Sequence, residues 1–147
     1  MTKIILMSIK PIFARQIYSR FKAYELRRKL FMIAEGDHIL LYETAPVKSI
    51  TGKFIAGHVR ELSSEEVVSL IKRGLLRGCN DLDVPYVIGK RKVLVIEVKS
   101  PKTFRRPLSL DLLRKRIKGF RPPRSYIVIR DSEFIEVINE WLDKYDQ

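Results

Sequence analysis

The stretch of sequence that bears most on the fold is Lys22-Ala23-Tyr24-Glu25-Leu26-Arg27-Arg28. Charged and apolar residues alternate in it, as expected of a β-strand whose successive side chains point to opposite faces. Glu25 and Arg27 are then predicted on one face, and Lys22 is predicted to swing in from the preceding turn. A carboxylate between two cations can hold an anion or hydrogen-bond the edge of a base or sugar. The alternative is a surface ion pair of little energetic value.

Apolar runs and helix-start signals outline the rest of the chain. Further strands are predicted at 4–7, 38–44, 50–60, 93–98 and 126–129. Helices are predicted from Pro11, from Ser64 behind a capping box, from Ser109 to about 116, and at about 132–145 as an amphipathic C-terminal helix. The segment 75–89 is predicted to be irregular. Strands outnumber helices and do not alternate with them, which predicts one α+β, mainly β domain over 1–147.

The charge of the chain points to a polyanionic partner. Its 147 residues carry a formal net charge of +12, which is high for this length. RNA is the expected partner and DNA the alternative, ahead of an acidic protein or a membrane surface. A basic surface that serves solubility alone is the competing interpretation.

The cysteine count and the hydrophobicity of the chain indicate the cellular compartment to expect. One cysteine, Cys79, excludes an internal disulfide framework and fits a reducing cytosol, so a cytoplasmic location is expected. There is no long apolar run and no signal-peptide pattern at the start, so no membrane association is expected. The low numbers of Asn and Gln, two of each, hint at a thermophilic source.

A second basic segment lies at 114–124. Its candidate nucleic-acid contacts are Arg114, Arg116, Lys118, Phe120, Arg121 and Arg124. Cations that neutralise phosphates give affinity that depends on salt and not on sequence. Phe120 can stack on an unpaired base. In the alternative interpretation Phe120 turns inward and the segment is a solvated helix end. The basic run Lys99, Lys102, Arg105 and Arg106 extends this surface if the fold brings it alongside.

Three motifs resemble those of ASCH domains (activating signal cointegrator homology), which have the PUA-like fold. The first, at 7–14 and 19–27, matches the family signature Gly-x-Lys-x-x-Glu-x-Arg at Lys22, Glu25 and Arg27, with Arg20 in place of the Gly. The second is the tyrosine strand, proline turn and glycine-bearing strand at 42–52. The third is Arg121-Pro122-Pro123-Arg124-Ser125-Tyr126. The resemblance covers about residues 4 to 129.

The resemblance implies a small β-barrel flanked by helices, with a cleft that receives the Lys-Glu-Arg set. It also implies RNA binding or processing, or transcriptional coactivation. A few members are enzymes, either acetylcytidine amidohydrolases or ribonucleases. The amidohydrolases have a Thr where this chain has Glu25, which weakens that interpretation.

Each candidate residue has a predicted role. Lys22 is expected to bind phosphate as a point charge, or to act as a nucleophile or base if burial lowers its pKa. Glu25 is expected to orient the two cations, and the alternatives are contact with a base or ribose and proton transfer. Arg27 offers a planar fork for phosphate or carboxylate. If the protein is an enzyme, Lys22 and Glu25 are the predicted catalytic residues.

Three more residues complete the predicted binding site. Lys10 is included among the ligand contacts. Tyr42 can stack under a base, and Thr44 can supply a hydroxyl at the cleft floor. For Tyr42 and Thr44, packing inside the barrel is an equally weighted alternative.

The leading hypothesis is an RNA-binding module whose cleft takes a nucleotide or flipped base while the basic surface holds phosphates. The alternatives are a hydrolase acting on a nucleoside or RNA, and a transcriptional regulator that senses a small nucleotide-like ligand. No cofactor or metal is expected. His38 and His58 lack metal-ligand spacing, and no glycine-rich phosphate-binding loop is present.

Overall fold

Residues 2–145, which the computed structural model describes, form six strands and five helices. In chain order these are β1 (Ile4–Ile9), α1 (Pro11–Tyr18), β2 (Tyr24–Arg28), β3 (His38–Glu43), β4 (Ser49–Leu62), α2 (Ser64–Lys72), α3 (Val84–Val87), β5 (Val93–Ser109), α4 (Leu110–Arg116), β6 (Tyr126–Val128) and α5 (Ser132–Tyr145). No helix in this part of the chain combines the length and hydrophobicity needed to span a membrane.

The six strands form one sheet in the order β2-β5-β4-β3-β1-β6. Strand β1 runs parallel to β3, and the other neighbours are antiparallel. Register shifts along β4 bend the two long central strands β4 and β5. The sheet therefore curls until its two edges approach each other: Arg27 of β2 donates a hydrogen bond to the carbonyl of Ser125, directly before β6. The predicted class, α+β and mainly β with a small barrel flanked by helices, is confirmed.

The core has three parts. Inside the curled sheet, Ile5, Met7 and Phe54 pack with Ile17 of α1. On the other face, a cluster that includes Leu6 packs against α4 and α5. A third cluster lies under α2. Neighbouring β1 residues enter different clusters because side chains alternate across a strand.

The predicted helix starts are confirmed in detail at two serines. Ser63 caps α2 by accepting from the Glu66 amide, and the Glu66 side chain accepts from the Ser63 amide, which completes the capping box. Ser109 caps α4 by accepting from the Leu112 amide.

Two elements differ from the prediction. Strand β5 continues to Ser109 instead of ending at 98, because its second half pairs with β4 and buries Phe104 and Leu108. The cationic residues between these two side chains hid the alternation. The segment expected to be irregular contains the short helix α3, which starts next to Pro85 and buries Val87.

Candidate functional site

A cavity of about 740 Å³ opens where the two edges of the curled sheet approach each other. We call it the cleft. Its walls come from the end of β1, from β2, from the segment 123–127 that leads into β6, and from the region of α3. The polar and aromatic residues that line it include Ser8, Lys10, Phe13, Glu25, Arg27, Arg28, Thr44, Asp83, Tyr86, Lys90, Arg124 and Ser125.

Arg27 ties the edges of the sheet together at the back of the cleft. Its Nε donates to Glu25 Oε2 at 2.9 Å, and its Nη2 donates to the Ser8 carbonyl at 2.6 Å. Its Nη1 lies 3.4 Å from the Ser125 carbonyl and 3.3 Å from Ser125 Oγ. The side chain is 14% exposed. Every nitrogen of the guanidinium thus has a protein partner. These contacts hold β2 against β1 and β6, and they engage the same nitrogens that were predicted to bind phosphate.

Glu25 shares the predicted face with Arg27, and its side chain is 6% exposed. The carboxylate accepts from Arg27 and lies within electrostatic reach of Lys22. Glu25 thus lies between the two cations, and its orienting role stays a prediction.

Lys22 differs from the expectation. Its side chain is 1% exposed, and its Nζ forms a salt bridge with Asp83 Oδ1. The ammonium also lies 3.6 Å from Cys79 Sγ and 5.2 Å from the ring centroid of Phe13. The segment 79–83 covers it, so it does not meet Glu25 and Arg27 in open solvent.

The electrostatics of Lys22 also oppose a role as nucleophile or base. Burial by itself lowers the pKa of Lys22, but Glu25, Cys79 and Asp83 outweigh burial and raise it. An ammonium with a raised pKa stays protonated at neutral pH, whereas a lysine nucleophile needs a lowered one. The structure thus encloses Lys22, in contrast to the exposed phosphate contact that the sequence predicted, and a role as a catalytic amine stays a prediction.

Backbone geometry explains how Lys22 comes to be enclosed. Arg20, where the ASCH signature has glycine, adopts the left-handed conformation that favours glycine, with φ of 67°. Gly78 packs so closely on the next residues that an added Cβ would lie 2.2 Å from the Phe21 carbonyl and 2.4 Å from the Lys22 Cα. The Ala23 amide donates to the Arg77 carbonyl at 2.9 Å. These contacts place the segment 79–83 over Lys22.

We call Lys22, Asp83, Glu25 and Arg27 the inner charge cluster, and Lys10, Arg28, Lys90 and Arg124 the cationic rim. Among the described residues that line the cleft, five are cationic, of which four belong to the rim, and two are carboxylates. Both carboxylates are paired within the inner charge cluster. Lys10, Arg28 and Arg124 are exposed, and Lys90 is half-buried. The open part of the cleft is therefore positively charged.

The remaining predicted contacts divide between cleft and core. Lys10 and Thr44 line the cleft, and so does Arg124, which the sequence assigned to the second basic segment. Tyr42 is 3% exposed and packs in the cluster beneath α4 and α5, and burial raises its pKa while Arg114 lowers it. Phe120 is 8% exposed and packs edge-on against Phe134. The stacking roles predicted for Tyr42 and Phe120 are wrong here, and the packing alternatives apply.

The second basic segment lies outside the cleft up to Arg121, and only its end at Pro123 and Arg124 lines the cleft. Arg114, Arg116, Lys118 and Arg121 are exposed and are not among the residues that line it. Arg116 Nη2 pairs with Glu140 Oε2 at 2.9 Å. Pro122 and Pro123 connect this segment to Arg124, so the basic surface begins where the cleft ends.

Sequence reasoning missed several cleft residues. Asp83 and Tyr86 fall in the segment without periodicity and Lys90 directly follows it, so their position depends on how that segment folds back over α1 and β2. The sequence could have indicated Ser125, because this residue belongs to the third motif. Within residues 2–145, no three His, Cys, Asp or Glu side chains are grouped so that they could hold a metal ion.

Comparisons with known proteins agree with this architecture. No family model matches the chain. The ASCH domain-containing ribonuclease of Zymomonas mobilis is 28% identical over 138 residues, which cover 90% of this chain and 88% of that protein. The crystal structure of ASCH from Zymomonas mobilis has a TM-score of 0.78 at 26% identity, over 93% of this chain and 94% of that chain.

More distant structures share the fold alone. A hypothetical protein from Leishmania major has a TM-score of 0.61 at 13% identity, over 98% of this chain and 97% of that chain. The N-terminal domain of Staphylothermus marinus McrB has a TM-score of 0.58 at 13% identity, over 94% of each chain. The resemblance to ASCH domains and the PUA-like fold are thereby confirmed.

Proposed function

We propose that this protein binds RNA in the cleft, with the cationic rim holding backbone phosphates. The observation that carries the proposal is the separation of charges: the carboxylates of the cleft are neutralised inside, while the rim presents unneutralised cations. Within residues 2–145, no carboxylate pairs with Lys10, Arg28, Lys90 or Arg124, and phosphate is the polyanionic group that such a rim attracts. The net charge of +12 extends the attraction beyond the cleft.

The similar Zymomonas mobilis protein supports RNA as the nucleic acid, because it is described as a ribonuclease. The roles of the predicted residues change under this proposal. Lys22, Glu25 and Arg27 shape the cleft, whereas Lys10 and Arg124 keep their predicted role as ligand contacts. Arg114, Lys118 and Arg121 can continue the phosphate track outside the cleft.

The test is the affinity for a single-stranded RNA oligonucleotide at several salt concentrations. Wild-type protein is expected to bind with a strongly negative salt slope, since each neutralised phosphate contributes about 0.7 to the slope for single strands. The Arg124→Ala variant is expected to bind more weakly and with a shallower slope. The matched control is Arg73→Ala, which removes an exposed arginine that does not line the cleft. Absence of RNA binding at low salt would rule the proposal out.

A second candidate function is cleavage of the bound RNA, which the name of the same relative favours. Glu25, one of the two lining carboxylates, can take a proton from a ribose 2′-hydroxyl. The hydroxyl oxygen then attacks phosphorus to form a cyclic phosphate, and the 5′-oxygen leaves with a proton from water. Glu25→Gln is then expected to abolish cleavage in the presence of a metal chelator while the variant still binds RNA. Cleavage that persists in Glu25→Gln, or that also occurs in a strand with 2′-deoxyribose at the cut site, would contradict this role.

A further inference from the structure

Tyr86 is a large aromatic side chain in the wall of the cleft. It is 47% exposed, although its neighbour Val87 is fully buried. The segment before it is anchored by the buried salt bridge between Asp83 and Lys22. A positioned aromatic ring binds a flat partner at low entropic cost because few of its torsions are left to be fixed.

Two other lining residues complete the surroundings of Tyr86. Phe13 of α1 packs edge-on against it, with ring centroids 5.4 Å apart and an interplanar angle of 89°. The Nζ of Lys10 lies 5.3 Å from the centroid of the Tyr86 ring. An aromatic surface and a flexible cation therefore meet at one end of the cleft, as the base and the phosphate of a nucleotide require.

Aromatic stacking favours unpaired RNA over paired RNA. The faces of paired bases are covered by their neighbours in an A-form helix, whereas bases in loops and single strands can be splayed onto aromatic side chains. Contacts between the cationic rim and backbone phosphates do not distinguish paired from unpaired RNA. Stacking on the ring of Tyr86 does distinguish them, because it requires a base whose face is uncovered.

We propose that Tyr86, supported by Phe13, stacks on one unpaired base while Lys10 contacts the phosphate next to it. The proposal rests on RNA binding in the cleft and deepens it by naming the substrate class: single-stranded or looped RNA. It assigns a binding role to Tyr86, a residue for which the sequence alone predicted none.

The experiment compares four proteins on three ligands. The proteins are wild type, Tyr86→Ala and Tyr86→Phe, with Ile88→Ala as the matched control because Ile88 is 60% exposed and does not line the cleft. The ligands are a single-stranded RNA, the same strand carrying abasic sites, and a blunt RNA duplex. Tyr86→Ala is expected to weaken binding of the intact strand about 10-fold or more. Tyr86→Phe and Ile88→Ala are expected to bind as wild type does.

The abasic strand and a fluorescent base give the readout specific to stacking. Affinity for the abasic strand is expected to be equal in wild type and Tyr86→Ala. A 2-aminopurine in the intact strand is expected to be quenched on binding to wild type and Tyr86→Phe, and not on binding to Tyr86→Ala. Unchanged thermal stability of the variants verifies that the fold is intact.

Two results separate this inference from the proposed function. If Tyr86→Ala binds the intact strand within twofold of wild type while Arg124→Ala binds weakly, the stacking role is overturned and RNA binding in the cleft stands. If wild type binds none of the three ligands at low salt, both fail. Equal binding of duplex and single strand by wild type also overturns the stacking role.

Discussion

The inner charge cluster and the cationic rim both contain lysine and arginine, and burial gives these cations different roles. Lys22 and Arg27 are 1% and 14% exposed, and their nitrogens contact protein groups. Lys10 and Arg124 line the same cleft but are exposed to solvent. A buried charge is costly to leave unpaired, whereas an exposed one costs little to remove. The cluster should therefore determine stability, and the rim should determine affinity.

The largest expected effect is on stability when one member of the buried pair is removed. Lys22→Met leaves the Asp83 carboxylate buried without its partner and should lower the free energy of unfolding by about 3–5 kcal/mol. The double variant Lys22→Met/Asp83→Leu should recover most of that loss, because two apolar side chains can replace a buried pair. Urea unfolding of both variants measures this. An equally unstable double variant would contradict the assignment of Lys22 as Asp83's structural partner.

The next largest effect is a difference in stability between variants of two adjacent arginines on β2. Arg27→Met removes the tie to Glu25, Ser8 and Ser125 and should cost about 2–3 kcal/mol of stability. Arg28→Met, the exposed neighbour, should change stability by less than about 0.5 kcal/mol. Thermal unfolding of the two variants side by side gives the contrast. Equal destabilisation would mean that the rim also holds the fold together.

Cys79, which contacts Lys22 of the inner charge cluster, should also make stability depend on alkaline pH. Burial raises the pKa of the Cys79 thiol from 9.0 to about 11. The folded state therefore holds a proton that the unfolded state releases, so the stability that this proton contributes is complete below pH 9 and is lost as pH rises toward 11. The expected loss between pH 8 and 10.5 is about 2 kcal/mol.

Lys22 adds a loss in the same direction above pH 10.5, since its pKa is also raised. Urea unfolding at the two pH values checks the prediction, with Cys79→Ala as the control that should show a smaller loss. A wild-type protein and a Cys79→Ala variant with the same pH dependence would contradict it.

Substitutions in the cationic rim are expected to have the smallest effect on stability, but a distinct effect on RNA affinity. Lys90→Ala should leave the free energy of unfolding within about 0.5 kcal/mol of wild type. It should reduce the salt slope of binding to single-stranded RNA by about 0.7, because one phosphate contact is lost. Lys72→Ala, which removes an exposed lysine outside the cleft, is the matched control. An unchanged slope in Lys90→Ala would remove Lys90 from the phosphate path.

The sequence predicted the parts of this molecule that local patterns encode. The capping box at Ser63 and the alternation that pairs Glu25 with Arg27 are local, and both are present. The burial of Lys22 is not local, because it requires Gly78 and Asp83 to fold back from more than 50 residues away. Tyr86 was missed for the same reason. The motif residues indicated where the cleft lies. They did not indicate which of its cations face solvent.

The most direct test of the account is the RNA affinity of Lys22→Met/Asp83→Leu compared with that of Lys90→Ala/Arg124→Ala, both verified as folded. We predict that the first variant binds single-stranded RNA with nearly wild-type affinity and salt slope. The second should bind far more weakly, with a slope reduced by about 1.4, or 0.7 for each of two phosphate contacts. Loss of binding in the first variant with full binding in the second would contradict the division between inner charge cluster and cationic rim.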